Sequence, residues 1–148
     1  MPLWKVPPNL AVLQNRPKNN LGSLIGLQFT EIGDDYLRAT LPVDARTHQP
    51  FGRLHGGASA TLAEEVGSTA SMLCLDAGKQ IAVGLELNCN HLRGISSGTV
   101  TATARPLHIG RTTHVWDIRI EDEQQRLVCI ARLTTSIIDI ALMRGRPD

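Results

Sequence analysis

His55, Gly56, Gly57, Glu64 and Glu65 are the residues whose types and spacing suggest chemistry, all within LHGGASATLAEEVGS (54–68). A glycine pair at a helix start leaves backbone N–H groups unobstructed at the positive end of the helix dipole. Donors placed that way can hold a developing oxyanion. The two adjacent carboxylates follow in a run of Ala, Ser, Thr and Gly, with no other charge between Ala58 and Leu75. A solvent-facing helix usually carries more charge than that. A carboxylate among small side chains is costly unless it is paired or ionised for a purpose, so at least one of the two has a task beyond solvation. Helical spacing places Gly57, Ala60, Gly67, Ser68 and Ser71 beside Glu64, and Thr61, Leu62, Ser68, Thr69 and Met72 beside Glu65. Gly67 inside the helix costs roughly 1 kcal/mol relative to Ala, which suggests that a neighbouring element approaches the backbone closely there.

Geometry restricts how these groups can cooperate. If Gly56 and Glu64 both contact one acyl carbonyl, they must lie within about 6 Å of each other, from two contacts of ~3 Å. The stretch of helix between them spans about 12 Å. Two antiparallel helices across a twofold axis resolve the conflict, each setting its glutamate opposite the other's N-terminus. A site shared between two copies of the chain is the expectation.

The elements that would carry these residues follow from periodicity. LQFTEI (27–32) and YLRATLPV (36–43) are strand-like and separated by Gly33-Asp34-Asp35, a hairpin signal. Residues 44–57 are rich in turn formers and lack a period, and 58 to about 75 form the only long helical stretch. Four strands follow, at 81–91, 99–108, 111–122 and 126–138, with two-residue alternation clearest in Val100, Ala102, Ala104 and in Trp116, Ile118, Ile120. Residues 1–20 read as an N-terminal extension with at most one short helix near Asn9–Asn15, and 139–148 as a C-terminal tail whose end, MRGRPD (143–148), frays. One helix cannot cover about six antiparallel strands on both faces, so oligomerisation is expected.

Composition excludes several classes. With 148 residues, 42% hydrophobic, 20% charged and a net charge of +1, the chain suits one globular domain spanning 1–148. It has no basic bias of the kind nucleic-acid binding requires, no signal-peptide-like N-terminus and no apolar window long enough for a membrane span. Cys74, Cys89 and Cys129 lie in apolar segments and read as reduced core residues. A cytoplasmic protein is expected. No HxxxH or CxxC cluster exists, so no metal is expected. His114 reads as a structural strand residue and His48 as a solvated loop residue.

The chain resembles the hotdog-fold acyl-CoA thioesterases over about Leu21–Ile138. The blocks carrying the resemblance are IGDDYLRATLPVDARTHQPFGRLHGGAS (32–59), LAEEVGS (62–68), VGLELNCNHLR (83–93) and PLHIGRTTHVW (106–116). It looks closest to the branch holding 1,4-dihydroxy-2-naphthoyl-CoA thioesterases of menaquinone biosynthesis and 4-hydroxybenzoyl-CoA thioesterases. The resemblance implies an α+β hotdog fold, one long central helix wrapped by a curled antiparallel sheet of about six strands. It implies hydrolysis of an aromatic acyl-CoA to free acid and CoA, with no cofactor, coenzyme A being part of the substrate. By that resemblance Glu64 is the nucleophile or general base and the Gly56 amide binds the carbonyl oxygen. His55 and Gln49 line the reaction centre, and Ser68 steadies the carboxylate or the water. His91, Arg93, His108, Gly110 and Arg111 face the CoA phosphates, as cations and free amides in loops can. Hotdog dimers commonly pair into tetramers, so a homotetramer is expected. Glu65 and Arg53 depart from the pattern, which expects a small or polar residue and an apolar one, and both bear on the acyl pocket. Alternatives within the same fold are a fatty acyl-CoA or carrier-protein proofreading thioesterase, and a non-catalytic acyl-CoA-binding module.

Overall fold

The computed structural model describes residues 3–143. The central helix, α3 (Gly56–Leu73), runs for 18 residues. Ahead of it lie α1 (Leu10–Gln14), α2 (Leu21–Leu24), β1 (Gln28–Ile32) and β2 (Leu37–Pro42). Behind it come β3 (Gln80–His91), β4 (Thr99–Ile109), β5 (Thr113–Glu121), β6 (Leu127–Asp139) and α4 (Ile140–Met143). The strands form one antiparallel sheet in the order β1-β2-β4-β5-β6-β3. α3 touches β2, β3, β4, β5 and β6, so the sheet wraps the helix as expected.

The alternation read from the sequence is the alternation of burial. Val100, Ala102 and Ala104 of β4 and Trp116, Ile118 and Ile120 of β5 all point into the core. They meet Leu62, Ala63, Val66 and Ala70 of α3, which are likewise fully buried. Burying each of the larger aliphatic side chains contributes about 1.5–3 kcal/mol. Gly67 has the close neighbour its sequence position suggests: a Cβ there would lie 2.6 Å from Leu133 Cδ2 and 3.0 Å from Ile118 Cδ1. Ser71 of α3, wholly buried, accepts a 2.7 Å hydrogen bond from Trp116 Nε1 and shares a 2.9 Å bond with Thr135 Oγ1. Trp4 stacks on Trp116 at 6.5 Å and closes that end of the core. All three cysteines are free, and burial pushes the Cys74 and Cys129 thiols up to about 12, so both stay protonated.

Several boundaries differ from the sequence reading. α3 begins at Gly56 rather than Ala58, because His55 caps it: the His55 Nδ1 accepts from the Gly57 amide at 2.8 Å. α2 and α4, four residues each, are too short to show a helical period. The last residues of the C-terminal tail lie outside the described residues. His48 is not a free surface residue. It is half-buried, its Nε2 lies 3.0 Å from the Ser96 carbonyl, and it bridges Leu54. No described helix is long and apolar enough to cross a membrane.

Candidate active site

The segment from Asp44 to His55 delivers the amino end of α3. It lacks regular structure but is stapled by its backbone: His55 N–H donates to the Thr47 carbonyl at 2.8 Å and Leu54 N–H to the Ile95 carbonyl at 2.7 Å. The Thr47 hydroxyl, buried, donates to the Pro42 carbonyl at 2.7 Å. Gln49 is tied into the same loop, its amide donating to the Arg53 carbonyl at 2.7 Å and its side-chain oxygen accepting from Phe51 N–H. In the first turn of α3, Gly57 donates to His55 Nδ1 while Ala58 and Ser59 donate to the His55 carbonyl. That leaves the Gly56 amide, among the described residues, without a hydrogen-bond partner. A Cβ on Gly56 would lie 3.0 Å from His91 Nε2, so the glycine leaves room for the imidazole beside its Cα. Gln49, Gly56, His91 and Arg93 line one cavity of about 250 Å³, with Arg53 and Ser59 beside them. Four of the residues expected at the site are therefore brought together, with His55 capping the helix alongside.

Glu64 and Ser68 form a second group further along α3. Both glutamates are half-buried in the single chain rather than enclosed. Ser68 Oγ donates to Glu64 Oε1 at 2.9 Å, across one helical turn. The carboxylate lies over Gly84 of β3, where a Cβ would come 3.2 Å from Glu64 Cδ and closer still to Oε1. Gly84 was absent from the sequence-derived set. Its signal was available: a glycine inside a strand pattern, IAVGLEL, marks a bulge or a close approach. Both occur, since the register of β3 against β6 slips between Gly84 and Glu86.

His108, Gly110 and Arg111 are not with His91 and Arg93. His108 lies at the end of β4, and Gly110 and Arg111 in the turn to β5, where Gly110 N–H donates to the Thr113 carbonyl at 2.9 Å; His108 and Arg111 are exposed. Thr113 pairs with Ser136, and Ser136 with Val83, so the turn stands level with the Val83–Gly84 end of β3. His91 pairs with Cys129 at the other end of β3. The strand between Val83 and His91 is roughly 26 Å long at ~3.3 Å per residue. Within one chain the expected residues thus fall into two sets: Gln49, His55, Gly56, His91 and Arg93 at one end, and Glu64, Ser68, His108, Gly110 and Arg111 toward the other.

His114 is buried on β5 against the edge of Trp116, and its Nδ1 lacks a hydrogen-bond partner. Burial lowers its pKa. No group of three or more described His, Cys, Asp or Glu residues is arranged to hold a metal ion.

The thioesterase superfamily model matches residues 51–129. The chain is 48% identical over 136 residues to a 1,4-dihydroxy-2-naphthoyl-CoA hydrolase of Escherichia coli, covering 92% of this chain and 99% of that one. It is 46% identical over 136 residues to a proofreading thioesterase of Cronobacter turicensis, covering 92% and 98%. The crystal structure of a glutamine-to-alanine mutant of a Pseudomonas aeruginosa thioesterase superposes with a TM-score of 0.91 at 53% identity, covering 93% of this chain and 99% of that one.

Proposed function

The chain belongs to the thioesterase superfamily and is a hotdog-fold thioester hydrolase, and we propose that it cleaves an aromatic acyl-CoA to the free acid and CoA. The observation that carries this reading is the Glu64 carboxylate, fixed by Ser68 and lying over Gly84, on the same helix whose amino end presents the unpartnered Gly56 amide. The amide binds the thioester oxygen and polarises the carbonyl, helped by the helix dipole. Glu64 either attacks that carbonyl, expelling CoA thiolate and leaving a mixed anhydride that water then hydrolyses to the free acid, or takes a proton from the water that attacks the carbonyl as the CoA thiolate leaves.

The two groups act on one carbonyl only if two chains combine. Support comes from β3, an edge strand of 12 residues that pairs on its outer side with no other strand among the described residues and whose Leu85 is 69% exposed. A long apolar edge is a pairing surface. Antiparallel pairing of β3 with a second copy sets the Val83 end of one strand beside the His91 end of the other. Glu64, Ser68, His108, Gly110 and Arg111 of one chain then approach Gln49, His55, Gly56, His91 and Arg93 of its partner, which assembles the whole expected set. His91, Arg93, His108 and Arg111 meet the CoA phosphates, and dimers associate into tetramers. The reaction requires no added cofactor, and the exposed cations suit a cytoplasmic acyl-CoA.

Release of CoA thiol from benzoyl-CoA tests the assignment. Glu64→Gln, which keeps the shape and removes the charge, lowers kcat by about 10²–10⁴-fold, at least tenfold more than Glu65→Gln; the reverse order overturns it. A second reading, clearance of acyl groups stranded on a carrier protein, is favoured by the similarity to a proofreading thioesterase. Faster turnover of carrier-bound than of CoA-bound benzoyl groups would select it.

A further inference from the structure

Arg53 stands where the family pattern expects an apolar residue, and the reaction proposed above leaves it without a part. It lines the cavity of about 250 Å³ that also holds Gln49, Gly56, His91 and Arg93. Its backbone is fixed on both sides. The Arg53 carbonyl accepts from Gln49 N–H at 2.7 Å, and the next residue, Leu54, donates to the Ile95 carbonyl at 2.7 Å. Its side chain is laid along Gly94, where a Cβ would lie 2.9 Å from Arg53 Cδ and 3.6 Å from its Nε. The guanidinium thus stands beside the backbone that carries Arg93, and both arginines are exposed. Arg38, Arg46, Arg105, Arg119 and Arg126 each pair with a carboxylate. Among the described residues Arg53 and Arg93 pair with none, and the cavity lining holds no Asp or Glu. Two like charges held at one rim without a counter-ion repel each other, and a bound anion relieves both.

Covalent reach sets how far that anion lies from the reaction centre. With the thioester carbonyl on the Gly56 amide, the pantetheine arm leads outward from the sulfur. Between sulfur and phosphorus it has about as many bonds as four extended residues, and so spans ~15 Å at ~3.5 Å per residue. Arg53 precedes Gly56 by three residues, at most ~10 Å of extended chain, and its long side chain reaches several ångströms further. Its guanidinium therefore matches the phosphate joined directly to the arm. The outer phosphates of a nucleotide lie beyond it. A guanidinium takes two phosphate oxygens through parallel N–H bonds, which suits Arg53 to this group better than a point charge would. An uncharged aryl group at the same rim would offer the arginine pair no counter-charge.

We infer that Arg53 is a specificity-determining residue of this chain that binds the phosphate joined directly to the pantetheine arm. The group it reads is present whether the arm ends in CoA or on a carrier protein. The inference rests on the Gly56 amide as the carbonyl-binding group and deepens that reading by naming how the arm is recognised. The test measures KM and kcat for benzoyl-pantetheine, benzoyl-4′-phosphopantetheine and benzoyl-CoA in the parent, Arg53→Leu and Arg53→Lys. In the parent, adding the first phosphate lowers KM at least about fivefold, as a charge-assisted contact at an exposed rim allows. Arg53→Leu brings that ratio down at least about threefold, and Arg53→Lys, which keeps the charge, holds more than half of it. The effect falls on KM rather than kcat, because the phosphate is held alike in ground and transition states. An unchanged ratio in Arg53→Leu overturns the inference, as does a Lys variant no better than the Leu variant. A loss seen with benzoyl-CoA and not with benzoyl-4′-phosphopantetheine puts Arg53 on the outer phosphates and also overturns it. Calorimetric affinities of the non-hydrolysable thioethers S-phenacyl-pantetheine and S-phenacyl-4′-phosphopantetheine read the same discrimination without turnover. If benzoyl thioesters are not cleaved, the proposed activity fails while these affinities still judge Arg53. Equal affinity of parent and Arg53→Leu for the phosphorylated thioether overturns the inference.

Discussion

The position of the Glu64 carboxylate is set by an absent side chain as much as by the Ser68 hydrogen bond. The atoms a Cβ at Gly84 would strike are the far end of a flexible glutamate, not backbone. Gly84→Ala should therefore leave the fold standing and turn the carboxylate aside. Misplacement of a reacting group by about 1 Å can cost on the order of 10²-fold. The expected outcome is a fall in kcat of at least tenfold with a thermal midpoint close to the parent's, read by thiol release and calorimetry on the same sample. A fully active Gly84→Ala would show that Glu64 does not need that space. At this scale the sequence was generous for residues joined by one helical turn, such as Glu64 and Ser68. It gave no warning of Arg16, whose relation to Glu65 and Thr69 exists only once the N-terminal segment folds back on α3.

The elements divide by how strongly their period shows. β4 and β5 alternate cleanly because one face meets α3. α3 was legible by length, its start less so, since a histidine is an unusual cap. α2 could have been inferred from Asn20, whose side chain accepts from Ser23 N–H at 3.0 Å, but four residues carry no period. β5 supplies a prediction of its own. With His114 buried and its pKa lowered below 6.5 mainly by desolvation, the folded protein resists a proton that the unfolded chain accepts. Stability is complete above that value and declines as pH falls from about 6.5 toward the lowered value, by at most about 1.4 kcal/mol per pH unit for one group. His114→Phe should remove this part of the acid sensitivity. Urea unfolding at pH 7.5 and 5.5 measures it, and an equal loss in parent and variant would assign the sensitivity elsewhere.

For the whole molecule, the proposed twofold assembly depends on β3. Replacing Leu85 with Arg puts a charge where two copies of the edge would meet, and should yield monomers by light scattering with turnover reduced at least a hundredfold, the misplacement effect taken to completion. A dimeric, active Leu85→Arg would remove β3 from the interface. A second copy is expected from a long sheet served by one helix, and the separation of Gly56 from Glu64 from the length of helix between them, whereas the end of the site that His108 and Arg111 join was not legible. It follows from strand register, which places the β4–β5 turn level with Val83 rather than with His91, and register is fixed by pairings far apart in sequence.

The two ends of α3 are coded within a few dozen bases of one gene, yet in the proposed assembly they never serve the same reaction centre from the same chain. A heritable change at either end alters both centres of the pair at once, and no chain can keep one good copy in reserve. A compensating change for a shifted Gly56 must arise in the same gene at or near Glu64, although the two groups meet only across the axis. Selection on this enzyme thus acts on a sequence's fit to itself turned through half a revolution.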